Sequence, residues 1–124
     1  MKKALVVDDN RQMAESLQKM LKMLGIEVEI AFGSRAALLS LHDYDKPTPD
    51  MVFLDINMPG IDGLEVLGFM KREPIWADVP VFIVSSDDQP ETIARAKANG
   101  VKGYIVKPAD FDRLEAALKE ENLL

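Results

Sequence analysis

The sequence predicts an α/β fold of the doubly wound type, in which a five-stranded parallel sheet lies between two layers of helices. Two observations carry this expectation. Apolar runs of strand length alternate with stretches whose apolar residues recur at helical spacing, and the alternation is unbroken across 124 residues. Parallel strands need crossover connections, and helices supply them. The third and fourth runs, Met51-Val52-Phe53-Leu54 and Val79 to Val84, carry no polar side chain, as expected of strands buried on both faces.

Composition limits what such a domain can do. A chain of 124 residues that is 48% apolar and 29% charged is expected to form one domain, residues 1–124, large enough to bury a continuous core. The absence of cysteine excludes disulfides, thiol chemistry and cysteine-ligated zinc. Met1-Lys2-Lys3 opens like a signal peptide, but the apolar run Ala4 to Val7 is cut by Asp8-Asp9 too early for one. Nothing reaches transmembrane length, so no membrane insertion and a cytoplasmic location are expected. A net charge of −6 argues against direct nucleic-acid binding, which needs a basic surface.

The elements follow in order. Ala4 to Val7 is the first strand, ending in Asp8-Asp9-Asn10. Met13, Leu17, Met20, Leu21 and Leu24 then form one helical stripe, closed by Gly25 at a position that favours a left-handed residue. Glu27-Val28-Glu29-Ile30 alternates with period two, as an edge strand does. Gly33-Ser34 offers a turn and an N-cap for a helix over Arg35 to Leu41. Pro47-Thr48-Pro49 leads into the third strand, which ends at Asp55.

Val66, Leu67 and Met70 place a third helix over Gly63 to Arg72, stopped before Pro74. The fourth strand ends in Ser85-Ser86-Asp87-Asp88. Pro90 suits a first helical position, Glu91 suits the first turn, and Gly100 closes a helix containing Ile93 and Ala96. Gly103 to Val106 is the fifth strand, ending at Lys107-Pro108. From Asp110 a last helix presents Phe111, Leu114, Ala117 and Leu118. Right-handed crossovers place helices on both faces, and the half-exposed second strand favours the order 2-1-3-4-5 of flavodoxin-like (βα)5 folds.

Function is legible where the strands end. Ligands of open parallel sheets bind beyond the carboxyl ends of the strands, near the point where strand order reverses. Here those ends carry Asp8-Asp9, Asp55, Ser85 and Lys107. An isolated Asp55 would be read as the cap of the turn that follows, but four polar termini converging on one rim need another account. Two carboxylates ~4 Å apart repel by roughly 4 kcal/mol at an effective dielectric of about 20, so a cation is required. Lys107 supplies one charge, and a cluster of oxygen ligands suits Mg2+. A carboxylate nucleophile beside Mg2+, a lysine and a hydroxyl has the parts for phosphoryl transfer to an acyl phosphate.

On Asp8-Asp9, Asp55, Met58-Pro59-Gly60 with Asp62-Gly63, Ser85 and Lys107-Pro108, the chain resembles a response-regulator receiver domain of two-component signalling, similar to single-domain chemotaxis receivers, along essentially its whole length. The resemblance implies that Asp55 is the phosphoacceptor and that Asp8 and Asp9 are the acidic pair holding Mg2+. Asn57 would complete the metal site through its backbone carbonyl. Lys107 would pair with Asp55 and then with the phosphoryl group, next to a cis bond before Pro108. Ser85 would be the switch hydroxyl and Tyr104 the aromatic switch, although Tyr104 alone reads as a half-buried strand tyrosine. Ser86 and Asp87 occupy variable positions that tune phosphate lifetime.

The phosphodonor is expected to be a histidine kinase or histidine phosphotransfer protein, and the output a protein partner at the face of the fourth helix, fifth strand and fifth helix. Self-phosphorylation and slow autodephosphorylation are the only catalysis expected. His42, near the end of the second helix, is placed on the rim opposite Asp55 with a surface role. Two alternatives stay open. An aspartate-nucleophile phosphohydrolase would carry a second aspartate where Asn57 stands, and a pure interaction module would have little use for the charges of Asp8, Asp9, Asp55 and Lys107. No output motif precedes Leu124, as expected of a stand-alone receiver or of one belonging to a longer chain.

Overall fold

Residues 1–124 are described by a computed structural model. Five strands, β1 (Lys3–Val7), β2 (Glu27–Ala31), β3 (Met51–Leu54), β4 (Val81–Ser85) and β5 (Gly103–Val106), alternate with five helices, α1 (Arg11–Met23), α2 (Ser34–Leu41), α3 (Gly63–Arg72), α4 (Pro90–Ala98) and α5 (Phe111–Glu120). All strand pairs are parallel, in the order β2-β1-β3-β4-β5. This is the expected flavodoxin-like arrangement, and β2 is indeed an edge, with Glu27 and Glu29 exposed.

Alternation along the central strands divides the core in two. Leu5, Val7, Val52, Leu54, Val81 and Ile83 face one side, where Ala37 and Leu41 of α2, Val66, Leu67 and Met70 of α3 and Ala96 of α4 cover them. Ala4, Val6, Met51, Phe53, Phe82 and Val84 face the other, under Ala14, Leu17 and Leu21 of α1 and Leu114 and Leu118 of α5. The register keeps like with like: Val6 lies beside Phe53, and Phe53 beside Phe82. The two phenyl rings stack with centroids 5.2 Å apart. A one-residue slip would turn both sets inside out.

Local chemistry sets the element ends, with three departures from the sequence reading. Asn10 caps α1 by accepting from the Met13 N–H at 3.1 Å, and Gly25 and Gly100 take positive φ after α1 and α4. Ser34, however, does not cap α2. Gly33 holds that position with φ 115°, and Ser34 is the first helical residue, with its hydroxyl donating to the Pro59 carbonyl at 3.4 Å. The fourth strand starts at Val81 rather than Val79, because Val79 N–H closes a turn onto Trp76 and Pro80 has no N–H to give a neighbour. Phe111 is only half-buried, and Leu114 and Leu118 carry the inner face of α5.

Candidate functional site

Four of the five strands deliver a polar residue to one rim. Asp8 directly follows β1, Asp55 follows β3, Ser85 ends β4 and Lys107 follows β5. The backbone fixes these positions before any side chain acts. Asp55 N–H bonds the Val7 carbonyl at 2.9 Å and Lys107 N–H the Ser85 carbonyl at 2.8 Å, so the sheet ladder continues to the residues that carry charge. The Lys107–Pro108 peptide is cis.

The carboxylate oxygens of Asp8, Asp9 and Asp55 lie within 4.8 Å of one another. Asp8 and Asp55 are buried, at 5% and 6% exposure, whereas Asp9 is open to solvent. Lys107 Nζ donates to Asp8 Oδ2 at 2.8 Å and stands 3.5 Å from Asp55 Oδ2. The remaining oxygens of the buried pair take backbone donors: Asp8 Oδ1 accepts from Asn10 N–H, and Asp55 Oδ1 from Ile56 N–H, each at 2.9 Å. Burial holds the Asp55 carboxyl above the ordinary aspartate range. Lys107 pulls it down, Asp8 pushes it up, and the Ile56 N–H and Ser85 hydroxyl lower it.

Three carboxylates against one ammonium leave an excess of two negative charges. Burying charge without compensation is strongly unfavourable, so the cluster suits a cation. The donor set is all oxygen, which favours a hard divalent ion such as Mg2+ over softer metals. Asn57 sits in the loop two residues beyond Asp55 with its side chain exposed, and no backbone N–H donates to its carbonyl. Asp8, Asp9 and Asp55 fit a Mg2+ site.

Ser85 is completely buried, and its hydroxyl accepts from the Asp87 N–H at 3.2 Å. Tyr104 on β5 is half-buried, as its position alone suggested, and its phenol donates to the Asp87 carbonyl at 2.6 Å. Burial raises the Tyr104 phenol, Asp87 raises it further, and the Ser85 hydroxyl acts against both. Asp87 therefore links Ser85 to Tyr104 through its backbone. The sequence gives no sign of this, because a backbone group can act in any residue type.

A second missed contributor is Gly63. A Cβ built there would lie 2.0 Å from the Asp55 carbonyl oxygen, and Gly63 N–H bonds the Ile56 carbonyl at 2.8 Å. The start of α3 is thus pressed against the loop that carries Asp55. In the sequence, Asp62-Gly63 is part of the receiver resemblance and Gly63 the start of the third helix, with no sign of this close approach. Asp62 in fact forms a reciprocal cap with Glu65, locking that helix start.

His42 is remote from this rim. It follows α2, with Nδ1 2.9 Å from the Leu38 carbonyl and Nε2 3.5 Å from Glu73 at the far end of α3. Its partners are unrelated to the acidic cluster. No helix is long and apolar enough to cross a membrane.

Comparison with known proteins agrees with this geometry. The family model described as "Response regulator receiver domain" matches residues 4–119. The chemotaxis protein CheY of Listeria monocytogenes is 34% identical over 121 residues, covering 97% of this chain and 98% of that protein. Among solved structures, the chemotaxis protein CheY4 of Vibrio cholerae superposes with a TM-score of 0.85 at 28% identity, covering 97% of this chain and 98% of its own. The response regulator TrrA of Thermotoga maritima, solved in complex with Mg2+ and BeF, gives 0.80 at 32% identity, with both chains fully covered. Receiver domains of this kind are phosphoacceptors rather than turnover enzymes, and they work with histidine kinases and downstream effectors. By fold, by the acidic rim and by this end-to-end likeness, the chain belongs to the response regulator receiver domain family.

Proposed function

We propose that Asp55 accepts a phosphoryl group from a phosphohistidine of a kinase or phosphotransfer protein, and that the acyl phosphate changes which protein partner this domain binds. The observation that carries the reading is the buried Asp55 carboxylate, within 4.8 Å of two further carboxylates and 3.5 Å from Lys107. An Asp55 carboxylate oxygen attacks phosphorus, the P–N bond breaks, and the donor imidazole leaves with the electron pair and takes a proton. Mg2+ bound by Asp8, Asp9, Asp55 and the Asn57 carbonyl would supply positive charge to the phosphoryl oxygens. Lys107, already on the rim, pairs with the added charge. Slow hydrolysis of the acyl phosphate is the only other chemistry assigned.

The partner-binding face proposed is α4–β5–α5. Phosphate on Asp55 brings new acceptor oxygens, and the Ser85 hydroxyl is a neutral donor on the neighbouring strand end. Ser85 and Tyr104 share Asp87, so a shift of Ser85 reaches an aromatic on β5. The reading is tested by intact-mass spectrometry after incubation with acetyl phosphate and Mg2+. One added phosphoryl group is expected, blocked by chelation and absent from Asp55→Asn. Equal uptake by that variant would remove Asp55 as the acceptor.

A further inference from the structure

Two residues of α2 run against their local setting. Arg35 stands in the first turn, where the helix macrodipole disfavours a cation, and it takes part in none of the ion pairs of the protein. Leu39, one turn further on, is 65% exposed, although α2 already gives Ala37 and Leu41 to the core. Arg35, Leu38, Leu39 and His42 are spaced i, i+3, i+4 and i+7, so they share one stripe of the helix and its cap. Breaches of local preference that gather on one stripe are the mark of a functional surface.

That stripe lines one side of a groove of about 440 Å³, and Pro59, Gly60 and Ile61 of the loop between β3 and α3 line the other. The two sides are tied together. Ser34 donates to the Pro59 carbonyl at 3.4 Å, and a Cβ built on Gly60, whose φ is 79°, would lie 3.9 Å from the Ser34 hydroxyl. Leu38 and Ile61 are half-buried and pack against the core, which anchors the apolar lining. Leu39, His42, Pro59 and Gly60 are exposed, so the groove is open to solvent, as docking of a protein segment requires.

Charge distinguishes this surface from the rest of the protein. The chain carries 21 acidic residues against 15 basic ones, yet no carboxylate lines the groove. Asp43 and Asp62 adjoin it in sequence, but the first accepts from the Asp45 N–H and the second from the Glu65 N–H. At one end His42 has Glu73 3.5 Å away. Arg35 at the other end is the unmatched charge.

We infer that the groove between α2 and the β3–α3 loop docks an amphipathic helix of a partner protein, whose apolar face covers Leu38, Leu39 and Ile61 and whose acidic end meets Arg35. From Arg35 to His42 the stripe is about 10 Å long, room for roughly two turns of such a helix. Helices enter apolar grooves through anchors at this spacing, and the cation at one end fixes which way the partner lies. The surface is separate from α4–β5–α5, and binding here requires no phosphate.

The probe is a helical peptide of about fifteen residues, the length at which isolated helices become stable, with leucines at i, i+3, i+4 and i+7 and glutamates at one end. It is titrated into the unphosphorylated full chain in chelator, so the outcome does not depend on Asp55 chemistry. Saturable shifts are expected at the amides of Arg35, Leu39, His42, Gly60 and Ile61. The same peptide with lysines in place of the glutamates is expected to bind several-fold more weakly. Arg35→Glu places an acid where the first turn of α2 favours one, so the fold is kept, and it is expected to reverse that preference. Leu39→Ser, at an exposed position, is expected to weaken both peptides several-fold with the circular dichroism unchanged. The proposal is overturned by shifts that do not saturate or that centre on α4–β5–α5, by equal affinity for the two peptides, or by an unchanged preference in Arg35→Glu. Concentration-dependent broadening of the same amides in the parent alone would make the occupant a second copy of this chain and overturn it equally.

Discussion

Lys107 sits closer to Asp8 than to Asp55, with its Nζ 2.8 Å from the first carboxylate and 3.5 Å from the second. The one buried ammonium of the rim is therefore hydrogen-bonded to Asp8, and Asp55 is left less compensated. Burial then prevails at Asp55, whose carboxyl is held above its ordinary value despite the lysine.

That imbalance predicts how stability varies with pH in metal-free protein. A carboxyl whose folded pKa exceeds its unfolded pKa contributes stability that is complete below the unfolded value and is lost as pH rises through the folded value. At neutral pH the Asp55 carboxylate therefore opposes folding. Asp55→Asn is expected to be more stable than the parent at pH 7 in chelator, by on the order of 1 kcal/mol, the scale of carboxylate repulsion near 5 Å partly offset by a lysine. The gap is expected to close as pH falls through the carboxyl range. Urea denaturation of both proteins across pH measures it, and a gap that widens on acidification contradicts the assignment.

Mg2+ is expected to remove the same strain by binding. A ligand that binds only the folded state at a hundredfold excess over its Kd adds about 2.7 kcal/mol, so the parent Tm is expected to rise with Mg2+ and saturate. Asp9 is exposed, and its loss costs the fold little, within about 0.5 kcal/mol for a surface change. Asp9→Asn is expected to keep the chelator Tm and lose most of the Mg2+-dependent rise. Thermal scans with and without Mg2+ separate the two effects.

Lys107→Ala removes the cation from two buried carboxylates. Breaking such a pair typically costs roughly 3 kcal/mol or more, and a loss of that order is expected at neutral pH without metal. Some phosphorylation is expected to persist, since Asp55 and the metal ligands remain. Partner binding is expected not to increase on phosphorylation, because no side-chain cation remains to follow the phosphate. Phosphorylation by mass and partner affinity by titration must be measured on the same sample, and an undiminished gain in affinity rules this out.

Gly63→Ala tests whether α3 holds the Asp55 loop. The added methyl would lie 2.0 Å from the Asp55 carbonyl oxygen, so the loop or the helix start must move. Overpacking of this kind costs about 1–3 kcal/mol. Mg2+ affinity is expected to fall with it, because Asp55 and Asn57 ride on that loop. Gly68→Ala, with only the far end of Arg72 near its new methyl, is the control and is expected to leave Mg2+ affinity unchanged.

Gly63 also marks the limit of what the chain discloses before folding. Strands β1 and β3 were legible because unbroken apolar runs have few other uses, and Glu27 to Ile30 was legible as an edge because its alternation survives only where one side meets water. Asp8, Asp55, Ser85 and Lys107 were legible because strand ends converge in a parallel sheet. Contacts made by backbone atoms were not. The Asp87 carbonyl under Tyr104, the Ile56 N–H on Asp55 and the approach of Gly63 leave no trace in residue type. Ser34 was misread as a cap because its true acceptor, Pro59, lies 25 residues away.

The last prediction concerns the route from Asp55 to the proposed binding face. Ser85 is fully buried, so any displacement of its hydroxyl must be transmitted to what packs around it. Its backbone-linked neighbour is Asp87, whose carbonyl holds the Tyr104 phenol at 2.6 Å. If phosphate draws the Ser85 hydroxyl toward Asp55, Asp87 must adjust and Tyr104 must re-seat on β5, between α4 and α5. A ligand shifts such an equilibrium only by its differential affinity for the two states. Tyr104→Phe, which removes the phenol but keeps the ring, is therefore expected to cost about 1 kcal/mol of stability and to weaken the transmitted change without blocking phosphorylation. Beryllofluoride with Mg2+ mimics the acyl phosphate, and in the parent it is expected to shift backbone amides from Asp55 through Ser85 and Asp87 to Tyr104, Ile93 to Asn99 and Phe111 to Lys119. In Tyr104→Phe the shifts beyond Asp87 are expected to shrink, while those around Asp8 and Asp55 remain. Shifts confined to the acidic loops in the parent, or concentrated on α1 and α2, would place the output on another surface.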